Sequence, residues 1–161
     1  MCEHHKANPE HMRRAVQLSA ERMRANLGGP FGAVIVKDGK VIAEGFNQVT
    51  TKNDPTAHAE VMAIRNACEK LGTFSLEGCE IYSSCEPCPM CLASIYWARL
   101  DALYFANTRQ DAAAIGFDDE FLYLEIPKPL SERKIPTQLV ELEEARAVFE
   151  EWRVKPDKVM Y

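Results

Sequence analysis

The sequence predicts an α/β fold, a three-layer αβα sandwich in which helices cover both faces of a sheet. Two observations support this prediction. Some segments repeat apolar residues at the helical period, whereas others are short, apolar and rich in β-branched residues. These segments follow one another in the order helix, hairpin, helix, strand, helix, strand, and such interleaving places helices on both sheet faces.

The N-terminal part of the chain is predicted to hold a helix and a β-hairpin. Asn8-Pro9-Glu10 has the pattern of a helix start, with an N-cap, a proline in the first turn and an acidic residue at the positive helix end. Gly28-Gly29-Pro30 ends this helix. Two β-rich runs at 31–36 and 41–43 then flank Asp38-Gly39, which is a hairpin turn signal.

The rest of the chain alternates helices and strands. One helix is predicted from about 58 to 71, where Gly72 closes it, and another from 88 to 99. Strands are predicted at 80–83 and 103–106. Prolines interrupt the last third before an acidic helix at about 141–152. Because no linker divides the chain, we expect one domain over residues 1–161.

The composition is typical of a soluble globular protein, with 161 residues of which 47% are apolar and 27% are charged. No apolar run approaches the ~20 residues of a membrane span, and the N-terminus lacks the apolar stretch of a secretory signal. The six cysteines are therefore expected to be free or metal-bound thiols in a reducing compartment. We expect a cytoplasmic protein without a membrane partner.

The charge pattern argues against a nucleic-acid partner. The chain has 19 basic and 24 acidic residues, which gives a net charge of -5. A protein that grips phosphates needs clustered Lys and Arg, whereas the basic residues here are scattered. A small, nearly neutral substrate is the better expectation.

A motif in two parts carries the chemistry. Pro55-Thr56-Ala57-His58-Ala59-Glu60 supplies an imidazole and a carboxylate, and Pro87-Cys88-Pro89-Met90-Cys91 supplies two thiols one helical turn apart. One imidazole and two thiolates with no obvious fourth ligand predict a zinc site with an open position. We therefore predict zinc as the cofactor.

Glu60 is predicted to be the catalytic residue. Zinc at such a site lowers the pKa of water to roughly 7, so a nearby carboxylate can take the water proton. Glu60 would pass that proton to a ring nitrogen of the substrate and would later protonate the departing amine. Together, the two parts of the motif are the signature of zinc-dependent deaminases that act on nucleobases.

Two other uses of these residues remain open at the level of sequence. Cys85 precedes Cys88 at the same spacing and would complete a structural zinc site with three cysteines and one histidine. The chain could also be a zinc-binding interaction domain without catalysis, in which Glu60 would be dispensable.

The chain resembles the bacterial guanine deaminases of the cytidine deaminase-like superfamily. The resemblance covers nearly the whole chain. It rests on GPFGAVIV at 29–36, NDPTAHAEV at 53–61, SCEPCPMC at 84–91, IYWAR at 95–99, GFDD at 116–119 and the terminal Tyr161. It implies a mixed five-stranded sheet between helix layers. It also implies a homodimer in which the C-terminal segment, about 140–161, crosses to the partner and closes its active site.

The resemblance also implies the residues that bind the substrate. Asn47 and Asp119 would hydrogen-bond the purine edge, and Phe31 and Trp97 would stack on or wall the ring. The backbone N–H of Ala59 would meet the substrate or hydroxide, as would that of Cys88. Tyr161 would reach in from the partner chain.

For four of these residues, a purely structural role is an open alternative to substrate binding. Asn47 and Asp119 could cap backbone segments, and Phe31 and Trp97 could be core aromatics.

The implied reaction is the hydrolytic deamination of guanine to xanthine and ammonia. A guanosine deaminase is the principal alternative, because it shares the GFDD segment but must leave room for ribose. A tRNA adenosine deaminase shares the zinc motif, but it must bind a polyanion. Deamination of cytosine or a triazine is a further alternative.

Overall fold

A mixed four-stranded sheet forms the centre of this computed structural model, which describes residues 6–161. Its strands are β1 (Gly32–Lys37), β2 (Lys40–Phe46), β3 (Cys79–Cys85) and β4 (Ala102–Asn107), in the spatial order β2-β1-β3-β4. Strand β1 pairs antiparallel with β2 and β3, and β3 pairs parallel with β4. The predicted α/β fold with a mixed sheet is confirmed.

The prediction of five strands is wrong for the described residues. Directly after β4, the Thr108 hydroxyl accepts a hydrogen bond from the Asp111 backbone N–H, and the Asp111 carboxylate accepts one from Thr108 N–H. This reciprocal capping box starts a helix where a further strand would need extended backbone. Within residues 6–161, β4 is therefore an edge strand.

Seven α-helices and one 3₁₀ turn accompany the strands in the described residues. The helices are α1 (Pro9–Arg24), α2 (Val49–Lys52), α3 (Ala59–Leu71), α4 (Pro89–Trp97), α5 (Arg109–Ala114), α6 (Glu120–Glu125) and α7 (Glu143–Val154), and the 3₁₀ turn is Leu130–Glu132. The α1 start is as predicted, since the Asn8 side chain accepts a hydrogen bond from Glu10 N–H at 3.0 Å. Gly72, with φ +65°, ends α3.

The core lies on both faces of the sheet, and the buried strand β1 contributes to each. Ala33 and Ile35 belong to one apolar cluster together with residues of α3 and α4. Val34 and Val36 point the other way and belong to a second cluster with Ala15 of α1. Helices therefore cover both faces of the sheet, which is the predicted layer order.

The described chain divides into two compact units, one up to Asp119 and one spanning Glu120–Tyr161. The second unit contains α6, the 3₁₀ turn and α7, and none of its residues is buried. The acidic helix predicted at 141–152 is α7. The prediction of one domain over residues 1–161 stays a prediction.

None of the helices in residues 6–161 combines the length and the apolar character needed to cross a bilayer.

Candidate active site

The two parts of the motif lie at the starts of two helices. His58 is the N-cap residue of α3, and Cys88 is the N-cap residue of α4. Pro89 opens α4, and Cys91 follows in its first turn, so both sulfurs lie at the same helix end. Helix starts present unpaired backbone N–H groups and a positive dipole end, which favour anionic sulfur.

The three predicted ligands converge on one point. His58 Nδ1 lies 3.6 Å from Cys88 Sγ and 3.5 Å from Cys91 Sγ. Zinc bonds of about 2.3 Å to sulfur and about 2.0 Å to nitrogen, at tetrahedral angles, place nitrogen and sulfur about 3.5 Å apart. The distances in the structure match that value, so these residues fit a zinc ion with three protein ligands.

Protonation of the two sulfurs differs because they share a hydrogen bond. The Cys91 thiol donates to Cys88, and this contact, with further help from His58, lowers the pKa of Cys88 to about 4 in spite of burial. The same hydrogen bond and burial raise the pKa of Cys91. The contact with Cys88 also raises the pKa of His58. The hydrogen bond from Cys91 therefore favours the anionic form of the Cys88 sulfur.

Cys85 does not belong to this group. Its sulfur lies 3.7 Å from the carbonyl oxygen of Thr108, and burial raises its pKa to about 11. Within residues 6–161, the ligand atoms that cluster are those of His58, Cys88 and Cys91 alone. The structural zinc site with a fourth ligand from Cys85 is therefore not formed.

Glu60 lies in the first turn of α3, beside the ligand group. It is buried, and burial raises the pKa of its carboxyl group. Its Oε1 accepts a hydrogen bond from Ser83 Oγ of β3 at 3.0 Å. A raised pKa suits a group that must both accept and return a proton.

Sequence reasoning missed Ser83, although a signal was present. Ser83 follows Ile81 by two residues in β3, so both side chains lie on the same sheet face. Ile81 packs in the cluster that α3 covers. A serine on that apolar face, which α3 covers, is therefore placed to contact a polar side chain of α3.

Asn47 follows β2 and lies close to the start of α3. Strand β2 can approach α3 because position 45 is glycine: an added Cβ there would lie 2.2 Å from Ala59 O. Asn47 is buried, and its Oδ1 accepts hydrogen bonds from Gly29 N–H at 3.4 Å and from Val49 N–H at 3.3 Å. The backbone thus uses the amide oxygen, and the role of Asn47 in substrate binding stays a prediction.

The two predicted ring-contacting aromatics differ in their surroundings. Phe31 is half-buried and meets Phe117 edge to face, with ring centroids 4.9 Å apart. Trp97 is 64% exposed at the C-terminal end of α4, where the Arg99 guanidinium lies 5.7 Å from its ring centroid. Trp97 is therefore not a core aromatic, and the substrate roles of both residues stay predictions.

Asp119 is half-buried and interacts electrostatically with the Cys88 sulfur. Burial raises the pKa of its carboxyl group, and the charge of the Cys88 sulfur raises it further. Ala59, the first residue of α3, is buried next to His58. Tyr161 is 75% exposed in the second unit. The contribution of each to substrate binding stays a prediction.

This site occurs within a recognised sequence family. Residues 5–107 match the model of the cytidine and deoxycytidylate deaminase zinc-binding region. The chain belongs to this zinc-binding deaminase family. The matched range contains His58, Glu60, Cys88 and Cys91, so the zinc that the family binds has a fitting set of ligands here.

Individual members of the deaminase family are similar over most of the chain. Guanine deaminase of Bacillus subtilis is 57% identical over 150 residues, which cover 93% of this chain and 96% of that protein. The crystal structure of guanine deaminase from Bacillus subtilis aligns with a TM-score of 0.94 at 55% identity, covering 97% of this chain and 99% of the other. A tRNA-specific adenosine deaminase of Aquifex aeolicus is 37% identical over 123 residues, 76% of this chain and 79% of that protein.

Proposed function

We propose that this deaminase hydrolyses guanine to xanthine and ammonia. The observation that carries the proposal is a buried carboxyl group, Glu60, beside three converging zinc ligands. This arrangement occurs in a chain that is 57% identical to a guanine deaminase over nearly its whole length.

His58, Cys88 and Cys91 would hold the zinc ion, which supplies a Lewis acid and lowers the pKa of water to about 7 when bound. Glu60 takes one proton from the attacking water and delivers it to a ring nitrogen of the substrate. The amino-bearing carbon next to that nitrogen becomes electrophilic. The water oxygen bonds to that carbon, and Glu60 takes the second hydrogen of this oxygen as a proton. Glu60 passes that proton to the amino group, the carbon–nitrogen bond breaks and ammonia leaves, so water and guanine give xanthine and ammonia.

Recognition of guanine would use complementary polar groups. Guanine presents acceptors at N7 and O6 and a donor at N2. Asn47 offers its Nδ2 donor, because the backbone already occupies its Oδ1. The Asp119 carboxylate offers an acceptor for the N–H groups of the base. Phe31 and Trp97 would wall the ring, and the Ala59 N–H would contact the substrate.

The proposal includes a homodimer in which the segment 140–161 crosses to the partner chain and brings Tyr161 to its site. Apolar side chains in the second unit support this part, because they are exposed and no residue of that unit is buried. Exposed apolar surface of this kind is typical of an interface. We also propose a cytoplasmic location, since none of the five cysteines in the described residues is in a disulfide.

A tRNA adenosine deaminase is the second candidate, because the Aquifex aeolicus relative is named for that activity. The net charge of -5 argues against it, since an RNA substrate requires clustered basic side chains.

The deciding experiment measures ammonia release from the zinc-loaded protein with guanine, guanosine and an adenosine-containing tRNA loop at equal concentration. We expect turnover of guanine. Preferential turnover of guanosine would replace the proposal with a nucleoside deaminase whose pocket admits ribose. Turnover of the RNA substrate, falling steeply with salt, would replace it with the second candidate.

A further inference from the structure

We infer that Ser83 is a positioning residue that holds the Glu60 carboxyl group in one orientation through a hydrogen bond to its Oε1. The inference rests on the proposed deamination for its catalytic meaning. Its structural part, the restraint of the Glu60 side chain by Ser83, stands on the contact between the two side chains.

The contact is direct and buried. Ser83 Oγ donates to Glu60 Oε1 at 3.0 Å across 23 positions of sequence. Ser83 is 2% exposed and Glu60 is 6% exposed. A buried hydroxyl needs an acceptor, because leaving it without one costs about 1–3 kcal/mol. The carboxylate of Glu60 provides that acceptor, so the two side chains hold each other in place.

The strand behind Ser83 makes it a rigid anchor. Strand β3 is bordered on both sides: Ser83 lies opposite Ala33 of β1 and Phe105 of β4. A side chain on an interior strand moves less than one on a loop. Glu60 has three rotatable side-chain bonds, and a proton shuttle must keep its oxygen within hydrogen-bond reach of the reacting atoms. Ser83 removes much of that freedom.

Burial also limits how Ser83 can act. Ser83 is 2% exposed and its hydroxyl donates to Glu60, so it offers little surface to a substrate. Loss of its hydroxyl should therefore lower kcat and leave KM nearly unchanged. A displacement of about 1 Å at a catalytic group can cost up to ~100-fold in rate.

The test compares four variants of the zinc-loaded full chain. Ser83→Ala removes the hydroxyl. Ser83→Thr keeps it, whereas Ser83→Val has nearly the shape of Thr without it. Ser84→Ala is the control, because Ser84 is an equally buried neighbour whose hydroxyl accepts from Gly32 N–H at 3.0 Å and makes no contact with Glu60. Zinc content and thermal unfolding are measured for each.

We expect Ser83→Ala and Ser83→Val to lose about 10-fold or more in kcat with guanine, with KM within about twofold and zinc content unchanged. Ser83→Thr should stay within about threefold of the wild type. In a Glu60→Gln background, Ser83→Ala should add no further loss. Equal kcat for Ser83→Thr and Ser83→Val, or an equal loss in Ser84→Ala, would overturn the inference.

A crystal structure of the zinc-loaded Ser83→Ala variant gives a readout that does not depend on the substrate. We expect Glu60 to occupy more than one rotamer. A Glu60 side chain that keeps the single rotamer of the wild type would overturn the inference even if guanine is the substrate. A wild type that does not turn over guanine would overturn the proposed function, while the Glu60 rotamer would still decide the role of Ser83.

Discussion

Glu60 is the residue on which the proposed chemistry depends. Its carboxyl group is buried at the start of α3, next to the His58 ligand. Burial raises its pKa, and the hydrogen bond from Ser83 favours the ionised form. Such a group can alternate between its two protonation states during one turnover.

Glu60→Gln should keep its zinc and lose at least ~100-fold in kcat, because glutamine has nearly the same shape but cannot carry a proton. The measurement pairs metal analysis with guanine turnover. A variant that retains both zinc and most of its activity would show that another group moves the proton.

Cys91 of the motif and the nearby Cys85 offer a matched comparison. Cys91→Ser should lose zinc, because a hydroxyl replaces one of three ligands. Cys85→Ser should keep full zinc content, since the Cys85 sulfur contacts the carbonyl oxygen of Thr108 instead. Metal analysis after gel filtration in a weak chelator distinguishes them. Loss of zinc in Cys85→Ser would restore the site with three cysteines and one histidine.

At the scale of elements, α1 is held to β2 by a paired contact. The Arg14 guanidinium donates to both carboxylate oxygens of Glu44, at 2.6 and 2.7 Å. This contact lowers the pKa of Glu44 and raises that of Arg14. A carboxyl group whose pKa is lower in the folded state stabilises the fold above its unfolded-state pKa.

Glu44→Gln should therefore lower the free energy of unfolding by up to about 1 kcal/mol at pH 7, because both partners are partly exposed and screened by solvent. The difference from the wild type should shrink as pH falls below the unfolded-state pKa of about 4.3, and it should vanish below the lower pKa that Glu44 has in the folded state. Glu21→Gln is the control, since Glu21 contacts the same arginine, Arg14, at the longer distance of 3.4 Å. Urea unfolding at several pH values measures both; a deficit independent of pH would contradict this account.

Elements also show where prediction from sequence succeeded. The starts of α1 and α4 and the end of α3 were predictable, because an N-cap, a proline or a glycine determines each of them locally. The short helices α2 and α5 were not predicted. They span only four and six residues, too few to show a helical period.

At the scale of the whole molecule, the second unit has apolar surface without a core. Phe149 and Val148 in α7 are 79% and 61% exposed, and no residue of Glu120–Tyr161 is buried. A segment of this kind buries little apolar surface within itself, so it gains little folding free energy from the hydrophobic effect. Its apolar side chains are suited to contact with a second copy of the chain.

Phe149→Asp should convert the proposed dimer into a monomer, because it places a charge among apolar side chains of the interface. Glu150→Gln, the adjacent exposed position in α7, is the control. Light scattering coupled to gel filtration gives the mass of each variant. A wild type that elutes as a monomer, or a Phe149→Asp variant that remains a dimer, would rule out this use of α7.

The sequence by itself predicted the layered fold, the group of His58, Cys88 and Cys91 that the structure brings together, and Glu60 as the proton shuttle of the proposed reaction. These follow from short spacings: two cysteines one helical turn apart, a histidine two residues before a glutamate, and strands that alternate with helices. Only the tertiary structure decided that Cys85 stands outside the site, that Ser83 binds Glu60 and that the described sheet has four strands. Each of these depends on which side chains meet across distant parts of the chain, and local sequence preferences do not specify such contacts.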